Sequence, residues 1–309
     1  FIRQADRRIE RSQHDRFRRR INRVSSIMRN ILLTLSYDGT FFCGWQRQEC
    51  RTDAAASSNG THRRARTSIQ KRARTSVQKR ARTVQEEVEK VLALIHKQPI
   101  VLYGSGRTDS GVHAAAQAAN FISPIDSIPL ENYIPALNSR LPSDIRVHKA
   151  EEKSPDFNAR FNGVNRTYCY FFYCGKTPAA CEMNYVWPLY RYPDIAKLNE
   201  MASCLHGETD CSAFSAAGDK SLSKNRFIER AVFFMQGEKL VFEICANAFL
   251  WKMVRSLAGT FIELEKRGGG AQEFRRILMS KDRKNAGLTA PAQGLFLWNV
   301  CFEGTRIHP

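Results

Sequence analysis

The run Tyr103-Gly104-Ser105-Gly106-Arg107-Thr108-Asp109-Ser110-Gly111-Val112-His113-Ala114 packs three glycines, an arginine, a carboxylate and a histidine between two apolar stretches, Ile100–Tyr103 and Ala115–Ile122. Few folds have a use for that much backbone freedom around one Arg and one Asp. A phosphate loop is a poor match, because the Gly-Lys-Ser/Thr ending is absent. A dinucleotide fingerprint needs its third glycine at the start of a helix, whereas here that glycine is misplaced and the following residues look extended. Asp109 and His113 have no third metal ligand nearby, so His113 reads as a local hydrogen-bonding or packing residue. Two readings remain. Either a strand, a loop and a strand present one carboxylate to a ligand that approaches the backbone closely, or the run is a tight turn whose Asp caps backbone groups. The pattern alone does not separate them.

The surrounding elements mix strands and helices without strict alternation, which points to an α+β fold. Ile31, Leu33, Leu35 and Tyr37 share one face of a first strand, with Thr34 and Ser36 on the other. Thr83 and Glu86 form a capping box for a helix whose apolar stripe is Val84, Val88, Val91, Leu92 and Ile95. Residues 115–122 and 145–148 read as strands, and 130–140 as a helix. In the second half, 166–174, 227–235, 239–246 and 295–302 read as strands; the middle two form a hairpin around Gln236-Gly237-Glu238. Helices are expected over 193–206, over 249–266 before three consecutive glycines, and over 271–279.

The net charge of +18 suggests an acidic partner such as nucleic acid, but its distribution matters more than its size. Residues 1–30 carry a net of +7 and residues 61–82 a net of +9, so the rest of the chain is nearly balanced. Residues 1–27 read as a basic disordered tail. Three acids in the tail argue against a targeting segment, and Met28 is a candidate start just before the first strand. The second basic segment holds a tandem repeat: Arg66–Ala73 recurs as Arg74–Ala81. An eight-residue period fits neither a solenoid nor a heptad. It reads as a duplication in a loop spanning about 50–82, with RNA contact as a second reading. No apolar run approaches a membrane span. The nine cysteines include no zinc-like spacing, which suggests reduced thiols in the cytoplasm.

Gly104–Ala114 resembles the signature of the TruA family of tRNA pseudouridine synthases. Other stretches fit the same family in order: Ser36–Gly39 with Gly44–Gln48, Thr83–Glu86, Phe157–Phe161, Arg166–Tyr170, Ala246–Arg255 and Ala290–Leu295. The departures are the two basic appendages. The resemblance implies a pseudouridine synthase fold: two related α+β halves, 28–140 and 141–309, joined into a mixed, mostly antiparallel sheet platform with flanking helices. It implies isomerisation of uridine to pseudouridine in the anticodon stem-loop of tRNA, at positions 38–40, by a homodimer needing no cofactor and no metal. By position, Asp109 is the catalytic carboxylate and Arg255 the cation that keeps it ionised. Tyr168 stacks on the target base. Arg107 replaces the flipped base or grips its phosphate, Arg160 is a second RNA contact, and Leu295 packs against the uracil. The rival functions are a non-catalytic RNA-binding protein and a nucleotide enzyme. The missing lysine and the glycine spacing argue against the nucleotide enzyme.

Overall fold

The computed structural model describes residues 28–47 and 82–307. The expectations for residues 1–27, and all but the last residue of the Arg-rich insert, lie outside them. Among the described residues the strands are β1 (Arg29–Tyr37), β2 (Leu102–Gly104), β3 (His113–Ser123), β4 (Ile145–Lys153), β5 (Asn165–Tyr173), β6 (Trp187–Pro188), β7 (Gly207–Asp210), β8 (Asn225–Gln236), β9 (Lys239–Ala246) and β10 (Leu295–Cys301). The α-helices are α1 (Val84–His96), α2 (Tyr133–Asn138), α3 (Ile195–Ser203), α4 (Met253–Lys266) and α5 (Ala271–Ser280).

All ten strands join one mixed sheet in the order β4-β1-β3-β10-β5-β9-β8-β7, with β2 on β3 and β6 on β5. Each side is built on one central strand. β1 lies antiparallel between β3 and β4, and β5 lies antiparallel between β10 and β9. The two sides meet where β10 runs parallel to β3, Phe296 opposite His113. The chain thus returns from its C-terminal end to the middle of the sheet and seats its last strand beside the glycine-rich loop. β4 follows the expected boundary at 140 but pairs with β1, so by strand pairing the first side extends through Lys153.

The core forms where the sequence alternates. Ile31, Leu33, Leu35 and Tyr37 are buried on one face of β1, and the α1 stripe of Val84, Val88, Val91 and Leu92 is buried with them in one continuous cluster. On the C-terminal side, phenylalanines run in a column: Phe214 stacks on Phe274, Phe274 on Phe261, and Phe261 meets Phe242 and Phe233 edge-on. Each such pair adds about 0.5–1.5 kcal/mol beyond the area it buries. The opposite face of β1 is not simply polar. Leu32 is buried with Ala118, Phe157 and Ala159 in a second cluster. Buried Asn30 and Asn120 dock that segment: Asn30 Nδ2 donates to the Phe157 carbonyl at 2.8 Å, and Asn120 Oδ1 accepts from the Ala159 N–H at 2.8 Å.

Local details depart from expectation in three places. Thr83 is the N-cap of α1 but its side chain makes no capping bond, and its hydroxyl is buried without a partner. The expected 130–140 helix divides into a 3-10 turn at Leu130–Asn132 followed by α2. Residues 249–252 do not join α4, because Lys252 has φ +60° and turns the chain just before the helix starts.

Candidate active site

The glycine-rich loop runs from β2 to β3 and is held from both sides. The Ser105 N–H donates to the Ala118 carbonyl at 2.8 Å, and Gln117 brackets Gly106, accepting from its N–H and donating to its carbonyl. The segment after β1 grips the rest. The Trp45 N–H donates to the Thr108 carbonyl at 3.1 Å, and the Gly111 N–H and Ser110 hydroxyl donate to the Phe42 carbonyl. The Tyr37 and Thr108 hydroxyls pair at 2.8 Å, and burial pushes the Tyr37 phenol far up. Two of the glycines have a definite reason. A Cβ on Gly104 would overlap the Trp45 indole, and Gly111 sits at φ +76°, where a side chain is strained.

His113 does what its sequence context suggested. It is fully buried, stacked on Phe296 with centroids 4.5 Å apart. Its Nδ1 accepts from the Gly39 N–H at 3.0 Å, and its Nε2 donates to the Asn184 carbonyl at 3.0 Å. Burial lowers its pKa, the neutral ring fitting both bonds.

The loop delivers the Asp109 carboxylate to the start of α4. Oδ2 lies 3.2 Å from Arg255 Nη1, and Oδ1 accepts from the Trp251 indole N–H at 2.9 Å. Arg255 is in turn fixed by the segment before β10. Its Nε donates to the Ala290 carbonyl at 2.8 Å, and its own carbonyl accepts from the Ala290 N–H at 3.0 Å. Pro291 of the same segment accepts from the Tyr170 hydroxyl at 2.8 Å, and a Cβ on Gly294 would overlap the Tyr170 ring. The Ala290–Leu295 motif therefore ties the arginine to the central strand.

Tyr168 lies on β5, buried, with Phe249 edge-on at 4.9 Å. Burial pushes its phenol up to about 12; the Arg166 charge opposes this and the Asp109 charge adds to it. The ring therefore stays a neutral phenol near pH 7, and its hydroxyl lies close to Gly106 of the loop that carries Asp109. Arg166 is a buried guanidinium whose partners are oxygens of three loops: the carbonyls of Gly163, Asn247 and Arg160, and the Ser105 hydroxyl. Burial lowers its pKa to about 10, still well above neutrality. It binds the Asp109 loop, the Arg160 turn and the approach to Phe249 into one unit.

Asp109, Arg255 and Tyr168 thus converge from three distant segments. Arg107 is exposed on the same loop as Asp109, and Arg160 is exposed on the turn that Arg166 holds. Leu295 is buried, but in the register of β10 it faces Tyr170; Leu297 is the residue opposite Tyr168. Leu297 also lies against Gly106. Two residues were missed from sequence: Leu297, because strand register is set by pairing, and Trp251, although it lies four residues before Arg255. Among the described residues no group of three or more His, Cys, Asp or Glu could hold a metal ion.

A mixed sheet therefore presents one ion-paired carboxylate on the loop that enters β3, next to β10. A family model described as tRNA pseudouridine synthase matches residues 35–162 and 201–303. The chain belongs to the tRNA pseudouridine synthase family. It is similar to a protein of Treponema denticola named tRNA pseudouridine synthase A, 56% identical over 277 residues, which are 90% of this chain and 94% of that one. A Treponema pallidum protein of the same name is 47% identical over 84% of each chain. One from Brachyspira hyodysenteriae is 36% identical over 89% of this chain and 99% of its own.

Proposed function

We propose that this chain isomerises uridine to pseudouridine in the anticodon stem-loop of tRNA, at positions 38–40, with Asp109 as the catalytic carboxylate. The observation that carries the reading is the meeting of Asp109 and Arg255, 146 residues apart, with Tyr168 against the glycine loop that carries Asp109.

The reaction breaks the C1′–N1 bond, turns the uracil and joins C1′ to C5. N1 gains a proton and C5 loses one, so the formula is unchanged and no cofactor is consumed. An ionised Asp109 begins either route, by attacking C1′ or by taking a ribose proton to give a glycal. Arg255 donates to Oδ2 of that carboxylate at 3.2 Å and fixes it in place. The Tyr168 ring supports a flipped base by stacking, which leaves it free to rotate in its own plane. Leu297 and Leu295 supply apolar surface along the same strand. Arg107 and Arg160 contact the RNA backbone or fill the place of the flipped base.

The enzyme acts as a homodimer, each tRNA touching both subunits. The exposed aromatic side chains Phe234 and Trp298 on the sheet are available for such an interface. It works in the cytoplasm. None of the eight described cysteines is in a disulfide, and among the described residues no helix is long and apolar enough to cross a membrane.

The test is incubation with unmodified tRNA transcript without ATP, nicotinamide or added metal, followed by mapping of pseudouridine. The expected product lies at positions 38–40 and is absent with Asp109→Asn, which keeps the shape but loses the nucleophile or base. Turnover by Asp109→Asn would remove Asp109 from the chemistry. Tight tRNA binding without any product from the unaltered protein would favour a non-catalytic RNA-binding role.

A further inference from the structure

We propose that Trp251 is a positioning residue for the reaction, its indole N–H holding the Asp109 carboxylate in the plane set by Arg255. This rests on the reading of Asp109 as the catalytic group. The two donors divide the carboxylate between them: Trp251 Nε1 is 2.9 Å from Oδ1 and Arg255 Nη1 is 3.2 Å from Oδ2. With one donor on each oxygen, rotation about the Cβ–Cγ bond breaks a bond to a charged acceptor, the stronger kind of hydrogen bond.

The placing of Trp251 does not suit a packing residue. The residue is 45% exposed, whereas its neighbours Leu250 and Met253 are buried. Its backbone, by contrast, is pinned on both sides. The Trp251 N–H donates to Asp219 Oδ2 at 2.6 Å, and its carbonyl accepts from the Ala216 N–H at 3.0 Å. Asp219 is itself held by the Lys224 ammonium at 2.6 Å and the Ser221 N–H at 2.9 Å. Burial works against its charge, yet Lys224 and these N–H donors keep the Asp219 carboxyl well below its ordinary range. Lys252, the next residue, takes a left-handed conformation at φ +60°, uncommon for a side chain and costly, and its ammonium lies 4.9 Å above the Trp251 ring. The chain spends a half-buried ion pair and a strained turn on one partly exposed indole, and the polar atom of that indole meets Asp109.

The test compares Trp251→Phe, Trp251→His and Asp109→Asn in steady-state kinetics on unmodified tRNA. Phenylalanine keeps an aromatic ring and removes the N–H. Histidine restores a donor, because the imidazole Nε2 lies at the same place in its five-membered ring as the indole Nε1. The expected result is a fall in kcat of about tenfold for Trp251→Phe with KM unchanged, and recovery to within about threefold for Trp251→His, the scale of one hydrogen bond to a charged group. A thermal melt checks that both variants fold, and if the phenylalanine variant does not, the histidine variant against Trp251→Leu gives the same comparison. A wild-type kcat for Trp251→Phe overturns the proposal. So does a rise in KM with kcat unchanged, which would make the ring an RNA contact. Asp109→Asn separates the two layers: if it is inactive while Trp251→Phe is normal, only the role of Trp251 fails, and if it is active, the reading of Asp109 fails first.

Discussion

Replacing Arg255 by methionine removes the cation beside Asp109 while keeping an unbranched apolar stem in α4. At 3.2 Å, two unit charges attract by about 5 kcal/mol at an effective dielectric of about 20. That is a ceiling, because the side chains of Arg255 and Asp109 are 15% and 26% exposed and water screens part of it. Removing one partner of a fully buried pair costs about 3–5 kcal/mol. A pair with this much solvent contact falls lower, at about 2–3 kcal/mol of folding stability, read in urea denaturation. The rate should fall by about tenfold or more, because Oδ2 loses the charge-assisted hydrogen bond that holds it in place. Arg255→Lys keeps the charge but cannot at once donate to the Ala290 carbonyl and reach Asp109, as the guanidinium does with Nε and Nη1. It should fall between wild type and the methionine variant. The assay follows from the chemistry: C5 loses its hydrogen as it joins C1′, so tritium placed at C5 is released at each turnover. Single-turnover release, with tRNA affinity measured separately, divides chemistry from binding. A methionine variant within threefold of the wild-type rate would refute the argument that Arg255 acts through Asp109. A loss confined to tRNA affinity would make Arg255 a phosphate contact.

Tyr168→Phe should retain most activity, whereas Tyr168→Leu should lose about 1–3 kcal/mol of base stacking, read as weaker activity on the same transcript; equal losses would give the hydroxyl a role. Gly259→Ala puts a Cβ onto the Leu288 carbonyl, and the segment it displaces leads to Ala290 and so to Arg255. It should cost about 1–3 kcal/mol in urea denaturation and also lower the turnover of the folded fraction. His96 and His113 are both lowered from 6.5 by burial, so their neutral forms contribute stability above pH 6.5 that is lost as pH falls from there through their lower folded-state values. The melting temperature should therefore drop on acidification below about pH 6.5, and less steeply in His96→Gln; an equal drop in both proteins would remove His96 from the effect.

Much of the local architecture was written in neighbouring residues. Alternation marked β1, a run of aromatics marked β5, the valine and leucine stripe marked α1, and Gly237 marked the β8–β9 turn, because side-chain period and turn conformation depend on residues only a few positions apart. The order of family motifs pointed to Asp109, Tyr168 and Arg255 as well, but as positions on a line. Periodicity could not say that β4 returns to β1 beyond residue 140, nor that β10 enters the middle of the sheet parallel to β3. Nor could it set the register that puts Leu297, rather than Leu295, opposite Tyr168. The helix pattern over 249–266 looked continuous, yet the backbone turns at Lys252 and frees Trp251 to reach a carboxylate 142 residues away. Those outcomes rest on hydrogen bonds and burial between segments far apart in the chain. Such contacts exist only once the sheet has closed, which is why the separate elements were legible in the sequence and the meeting of Asp109 with Arg255 and Trp251 was decided by the tertiary structure.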